Sequence, residues 1–135
     1  MTAHEWLDAY LLGLPGATTD YKVEWEWQRY QVGGKMFAAT MQPGPQHHEY
    51  AGRRLVSLKC DPAWAEQLRA EHPDDVLPGF YADKRHWISV DPDGDVPEDL
   101  LRELCGHSYN LVFAKLTKKM QREITEQRAA SQRQG

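Results

Sequence analysis

Two consecutive glycines, Gly33-Gly34, separate the strand-like runs Gln31-Val32 and Lys35-Met36-Phe37-Ala38, and no other feature narrows the fold as much. A two-residue link between antiparallel strands needs positive φ at both central positions, which glycine adopts without a steric penalty. The pair therefore predicts a tight hairpin and commits the chain to an antiparallel sheet. Upstream, Val23, Trp25 and Trp27 alternate with Glu24, Glu26 and Gln28. That period of two predicts a strand with one buried face and both tryptophans on it, with Tyr30 and Val32 continuing the pattern or opening a second strand. Leu55–Cys60 and His86–Val90 read as two further strands.

Helices bracket these strands. Trp6, Leu7, Tyr10, Leu11 and Leu14 recur at three and four residues and line one face of a helix over His4–Leu14, which Gly13, Pro15 and Gly16 end. Asp61-Pro62 supplies an N-cap and a proline at the first helical position, predicting a helix to about His72. Pro97 opens another that Gly106 is placed to cap. Ser108 then caps a last helix running from Tyr109 into the basic tail, with Val112, Leu116 and Met120 on one face. Gln42–Gly52 reads as an exposed loop and Asp91-Pro92-Asp93-Gly94 as a turn. The fold class is α+β: an antiparallel sheet packed against N- and C-terminal helices. The expected core is Trp25, Trp27, Phe37, Leu58, Trp87, Ile88, Val112 and Leu116. One domain is expected over residues 1–119, followed by a basic helical extension over 120–135 that frays from Gln127 onward.

At 135 residues the chain is expected to build one core. Its apolar runs fall far short of the ~18 residues a membrane span needs, and Met1–Tyr10 has no basic-then-apolar leader, so the expectation is a cytoplasmic protein with no membrane partner. Cys60 and Cys105 are too few for a disulfide framework and read as buried free thiols. His47-His48-Glu49 has metal-ligand residue types, but neighbours on an extended chain point to opposite sides, so neither metal nor cofactor is expected. The chain has no G-x-S-x-G, H-E-x-x-H, Walker or dinucleotide-binding pattern, and no nucleophile is named.

Charge is uneven. The chain carries a net −4, yet the segment from Cys105 to the end carries +4, through Lys115, Lys118, Lys119, Arg122, Arg128 and Arg133 against Glu123 and Glu126. The acidic excess includes Asp91, Asp93, Asp95, Glu98 and Asp99, where carboxylates favour turn and helix-start N–H groups. Two candidate sites follow. Cations lie beside aromatic residues at Lys35 and Phe37, at Lys84-Arg85-His86-Trp87, and at Tyr109 with Lys115, Lys118 and Lys119, a pairing suited to phosphate contact and base stacking. His107-Ser108-Tyr109-Asn110, read at a helix start, would offer N–H groups to an anion; the competing reading is simple capping by Ser108.

Val32–Ala38, Leu58–Pro62, Lys84–Val90 and His107-Ser108-Tyr109 with Ala114-Lys115-Leu116, in this order, resemble the MmcQ/YjbR family across residues 4–119. The resemblance implies a fold like that of the bacterial frataxin CyaY, also described as a double-wing DNA-binding architecture. It carries DNA contact onto Lys35, Lys59, Lys84, Arg85 and Lys115, with Lys119 added by its place in the basic segment. Frataxin-like iron binding would need an acidic first helix, and here that helix offers only Glu5 and Asp8. The leading expectation is a small, non-enzymatic binding protein with nucleic acid as ligand. The alternatives are an interaction module for a protein partner or a second copy of itself, and an enzyme acting on a small anion.

Overall fold

The computed structural model describes residues 3–80 and 82–134, with side chains over 6–80 and 82–127. Helix α1 (Ala3–Leu12) is followed by strands β1 (Ala17–Lys22), β2 (Trp27–Val32), β3 (Lys35–Met41) and β4 (Leu55–Lys59). Helix α2 (Pro62–Glu71), strands β5 (Val76–Pro78) and β6 (Trp87–Val90), and helices α3 (Glu98–Phe113) and α4 (Lys118–Gln134) complete the order. The strands form one antiparallel sheet, β1-β2-β3-β4-β6-β5. No helix among the described residues is long and apolar enough to cross a membrane.

Gly33 and Gly34 turn the β2–β3 hairpin with φ of 58° and 79°. Asp61 accepts a hydrogen bond from the Trp64 N–H at 3.3 Å, and Pro62 occupies the first turn of α2. Leu7 and Leu11 of α1, Ala65 and Leu68 of α2, and Leu101, Leu104, Cys105 and Val112 of α3 all bury against one face of the sheet. Six of the eight expected core residues are buried: Trp27, Phe37, Leu58, Ile88, Val112 and Leu116. Trp87 is only half-buried.

Four expectations are corrected. Trp25 is not in a strand: Val23–Glu26 turn between β1 and β2, leaving Trp25 52% and Val23 72% exposed. The turn needs a left-handed residue, and Glu26 supplies it at φ 58°. The strand preceding it, Ala-Thr-Thr-Asp-Tyr-Lys, lies at the sheet edge and buries no face, so it carries no alternating apolar signal. Gly106 and Ser108 do not break the chain into two helices, because α3 runs unbroken from Glu98 to Phe113. The last helix begins instead at Lys118, where the Thr117 hydroxyl accepts the Met120 N–H at 3.1 Å, and it continues past Gln127 to Gln134; Gly135 and the Arg128 and Arg133 side chains lie outside the described residues. Within Gln42–Gly52, Pro45–Tyr50 forms short 3-10 turns, with His48 at φ 50° between them.

Arg53 fixes that segment to the sheet. Its guanidinium donates to the Asp91 carboxylate at 3.0 Å, the Asp75 carboxylate at 3.1 Å and the Asp74 carbonyl at 2.5 Å. Glu98 and Asp99 occupy the first turn of α3, where negative charge suits the helix dipole.

Candidate functional site

A break in the sheet organises the site. Register along β2 and β3 passes from Tyr30↔Ala38 to Gln31↔Met36, leaving Phe37 as an extra residue, and β3–β4 pairing stops at Ala38↔Leu58. One step beyond, Ser108 of α3 fills the gap. Its Oγ accepts the Lys59 N–H at 2.8 Å and donates to the Phe37 carbonyl at 2.5 Å, and the side chain is fully buried. A helix, a strand start and a strand end are thereby held at one point.

Three lysines issue from those elements. Lys35 lies two residues before Phe37, Lys59 is itself one of the pinned residues, and Lys115 lies two residues past the end of α3. Lys115 and Lys35 lie near enough to Lys59 for their charges to act on it. Burial first, then Lys115 and Lys35, hold the Lys59 pKa below the ordinary lysine range, with Asp83 opposing them. None of the three forms an ion pair among the described residues. Such a cluster offers donors and positive charge, with no acceptor. It suits the oxygens of a phosphate.

The other expected cations lie on two further segments. Lys84 and Arg85 are exposed in the turn before β6, where Asp83 accepts the Arg85 N–H at 2.9 Å and meets His86 Nδ1 at 2.8 Å. Because Lys59 pairs with Trp87 and the Cys60 N–H donates to the His86 carbonyl at 2.8 Å, this turn borders the cluster. Lys119 lies in the first turn of α4, 3.9 Å from Glu123.

The His107–Asn110 anion site is corrected, since all four residues sit inside α3 and their N–H groups belong to the helix. His107 Nε2 accepts the Asp61 N–H at 3.1 Å, and burial pushes its pKa down, which keeps the ring neutral and able to accept. Tyr109 donates to the Pro15 carbonyl at 2.6 Å, and Asn110 is exposed. Local sequence did not reveal the roles of Ser108 and His107, because their partners lie 46 to 71 residues away. Cys60 and Cys105 are buried free thiols whose pKa values burial raises to about 11 and about 12. The His47 ring packs edge-on to Phe80 at 4.9 Å, while His48 is exposed.

Comparison with known proteins matches residues 12–111 to the family model YjbR. Uncharacterized protein YbdF of Escherichia coli O157:H7 is 31% identical over 121 residues, covering 90% of this chain and 93% of that protein. Uncharacterized protein YjbR of Escherichia coli K12 is 34% identical over 109 residues, covering 81% and 85%. Among solved structures, a Deinococcus radiodurans protein described by the domain DUF419 superposes with a TM-score of 0.76 at 32% identity, covering 90% of this chain and 87% of that one. A Pseudomonas syringae protein shares the fold, with a TM-score of 0.63 at 21% identity over 82% of this chain and 98% of that one.

Proposed function

We propose that the chain, which belongs to the YjbR family, is a non-enzymatic binding protein that holds nucleic-acid phosphates at Lys35, Lys59 and Lys115. The observation that carries the reading is that Lys35 and Lys115 crowd Lys59 at the Ser108 pin, while none of the three forms an ion pair among the described residues. Holding like charges together is unfavourable in the free protein, and an anion relieves it. Lys84 and Arg85, on the bordering turn, extend the positive edge along a phosphate backbone. The first 104 residues carry −8, so the cluster works against the charge of the whole and binding is weak and salt-sensitive. Backbone contacts of this kind position a duplex or single strand without reading its sequence.

The test is fluorescence anisotropy with short duplex and single-stranded DNA across a salt series. Log K falls against log salt with a slope of about −0.9 for each duplex phosphate neutralised. Lys115→Glu weakens binding uniformly across sequences and flattens the slope by about one unit. Lys118→Glu, outside the cluster, leaves that slope in place. No retention of either DNA at low salt removes the reading.

A further inference from the structure

The sheet has a second face. On β3 and β4, Ala39, Met41 and Leu55 alternate with the residues that face the helices, and they join Trp27 and Phe80 in a separate buried cluster. Beside this cluster lies a groove of about 730 Å³ between the β1–β2 turn and residues 42–47. Its apolar wall is Val23, Trp25, Trp27, Met36, Met41 and Phe80. The rings stand at angles, Trp25 edge-on to Trp27 at 5.3 Å and Trp27 inclined 40° to Phe80 at 6.4 Å.

We infer that this groove is a binding site for a small organic cation with an apolar body. Charge selects the occupant. Two of the described lining residues, Glu24 and Glu26, are carboxylates; His47 is the one basic residue among them, and none is lysine or arginine. The nearest cations are already matched: Lys22 lies 3.8 Å from Glu24, and Arg29 lies 2.6 Å from Asp20. Glu26 forms no ion pair among the described residues, so its carboxylate is left to face a ligand charge. An anion entering here meets the Glu26 carboxylate, with Glu24 beside it matched by Lys22. A neutral molecule gains only apolar contact, whereas a cation gains that contact together with the Glu26 carboxylate and the ring faces of Trp27 and Phe80.

Trp25 already shows the ring's preference, with Lys22 Nζ 5.4 Å and the Arg29 guanidinium 5.7 Å from its centre. These contacts hold a half-exposed ring in place before any ligand arrives, which lowers the ordering cost of binding. Tyr21, Val23 and Trp25, all exposed, lie in or beside the same turn. The groove is lined by none of the lysines in the phosphate-binding proposal, so the two sites stand or fall separately.

Tryptophan fluorescence titration with benzyltrimethylammonium, benzyl alcohol and benzenesulfonate tests the assignment. The cation gives saturable quenching, benzyl alcohol binds about tenfold more weakly, and benzenesulfonate binds weakest. Calorimetry provides a readout independent of Trp25: Trp25→Ala abolishes cation binding, Glu26→Gln narrows the gap between cation and alcohol, and Lys115→Glu changes neither. Circular dichroism confirms that the Trp25 variant is folded, and the Glu26→Gln comparison decides the matter if it is not. Equal binding of the three probes, unchanged cation binding in both groove variants, or no saturation at millimolar cation overturns the proposal. So does a lysine-rich peptide that quenches where the free cation does not, since the occupant is then a protein segment.

Discussion

Ser108 does by hydrogen bonding what a longer β3–β4 ladder would otherwise do. A serine inside a helix commonly bonds back to its own preceding turn, but this one serves a strand N–H and a strand carbonyl instead. Ser108→Ala leaves both groups buried without that partner, at about 1–3 kcal/mol for each group that stays unpaired. Urea denaturation reads the loss directly; a midpoint equal to that of the parent rules out the pin. The same substitution loosens the positions of Lys35, Lys59 and Lys115. In sequence, Gly106 followed by His107-Ser108 looks like one helix ending and another being capped. What decides otherwise is tertiary: Cys105, Ser108, Tyr109 and Val112 are all buried on one continuous helical face. No local pattern contains the carbonyl of Phe37.

Two hairpins show why some elements were legible and others were not. The β2–β3 turn announces itself because both of its central residues must be glycine-like, and both are glycine. They are not equivalent. A Cβ on Gly34 meets nothing within 4 Å, whereas one on Gly33 falls 2.7 Å from a Leu116 methyl carbon and 3.0 Å from the Met120 methyl. Either alanine pays the left-handed strain of about 1–2 kcal/mol. Gly33→Ala must in addition shift the ends of the buried Leu116 and half-buried Met120 side chains, so its thermal midpoint falls further than that of Gly34→Ala. Equal midpoints would show that these side chains do not seat on the turn. The β1–β2 turn contains no glycine, and its Val-Glu-Trp-Glu-Trp alternation is indistinguishable from a strand at the level of pattern. The left-handed residue there is Glu26, a costly choice that hydrophobic periodicity does not reveal.

At the scale of the whole molecule, one cluster of charge works against stability. An acidic chain holds three lysines at one edge, and the sequence identified those residues as cations without being able to bring them together. Their meeting depends on β3, β4 and α3 sharing the Ser108 pin. The depressed Lys59 pKa gives this arrangement a pH signature. Between its folded-state value and the higher unfolded one, the unfolded chain binds more protons, so stability rises with pH through that window. Below the window the repulsion acts in full. Phosphate binding runs the other way, because it needs the ammonium form; affinity falls before the pH at which an isolated lysine would titrate. Lys115→Gln separates stability from binding. Removing one exposed like charge relieves about 0.2–0.5 kcal/mol, so Tm rises by about 1–2 °C and the alkaline gain in stability shrinks. DNA affinity falls in the same variant. A fall in Tm would mean that Lys115 is held by favourable contacts, and unchanged affinity would mean that phosphate does not meet the cluster; differential scanning calorimetry and the anisotropy series decide these points independently.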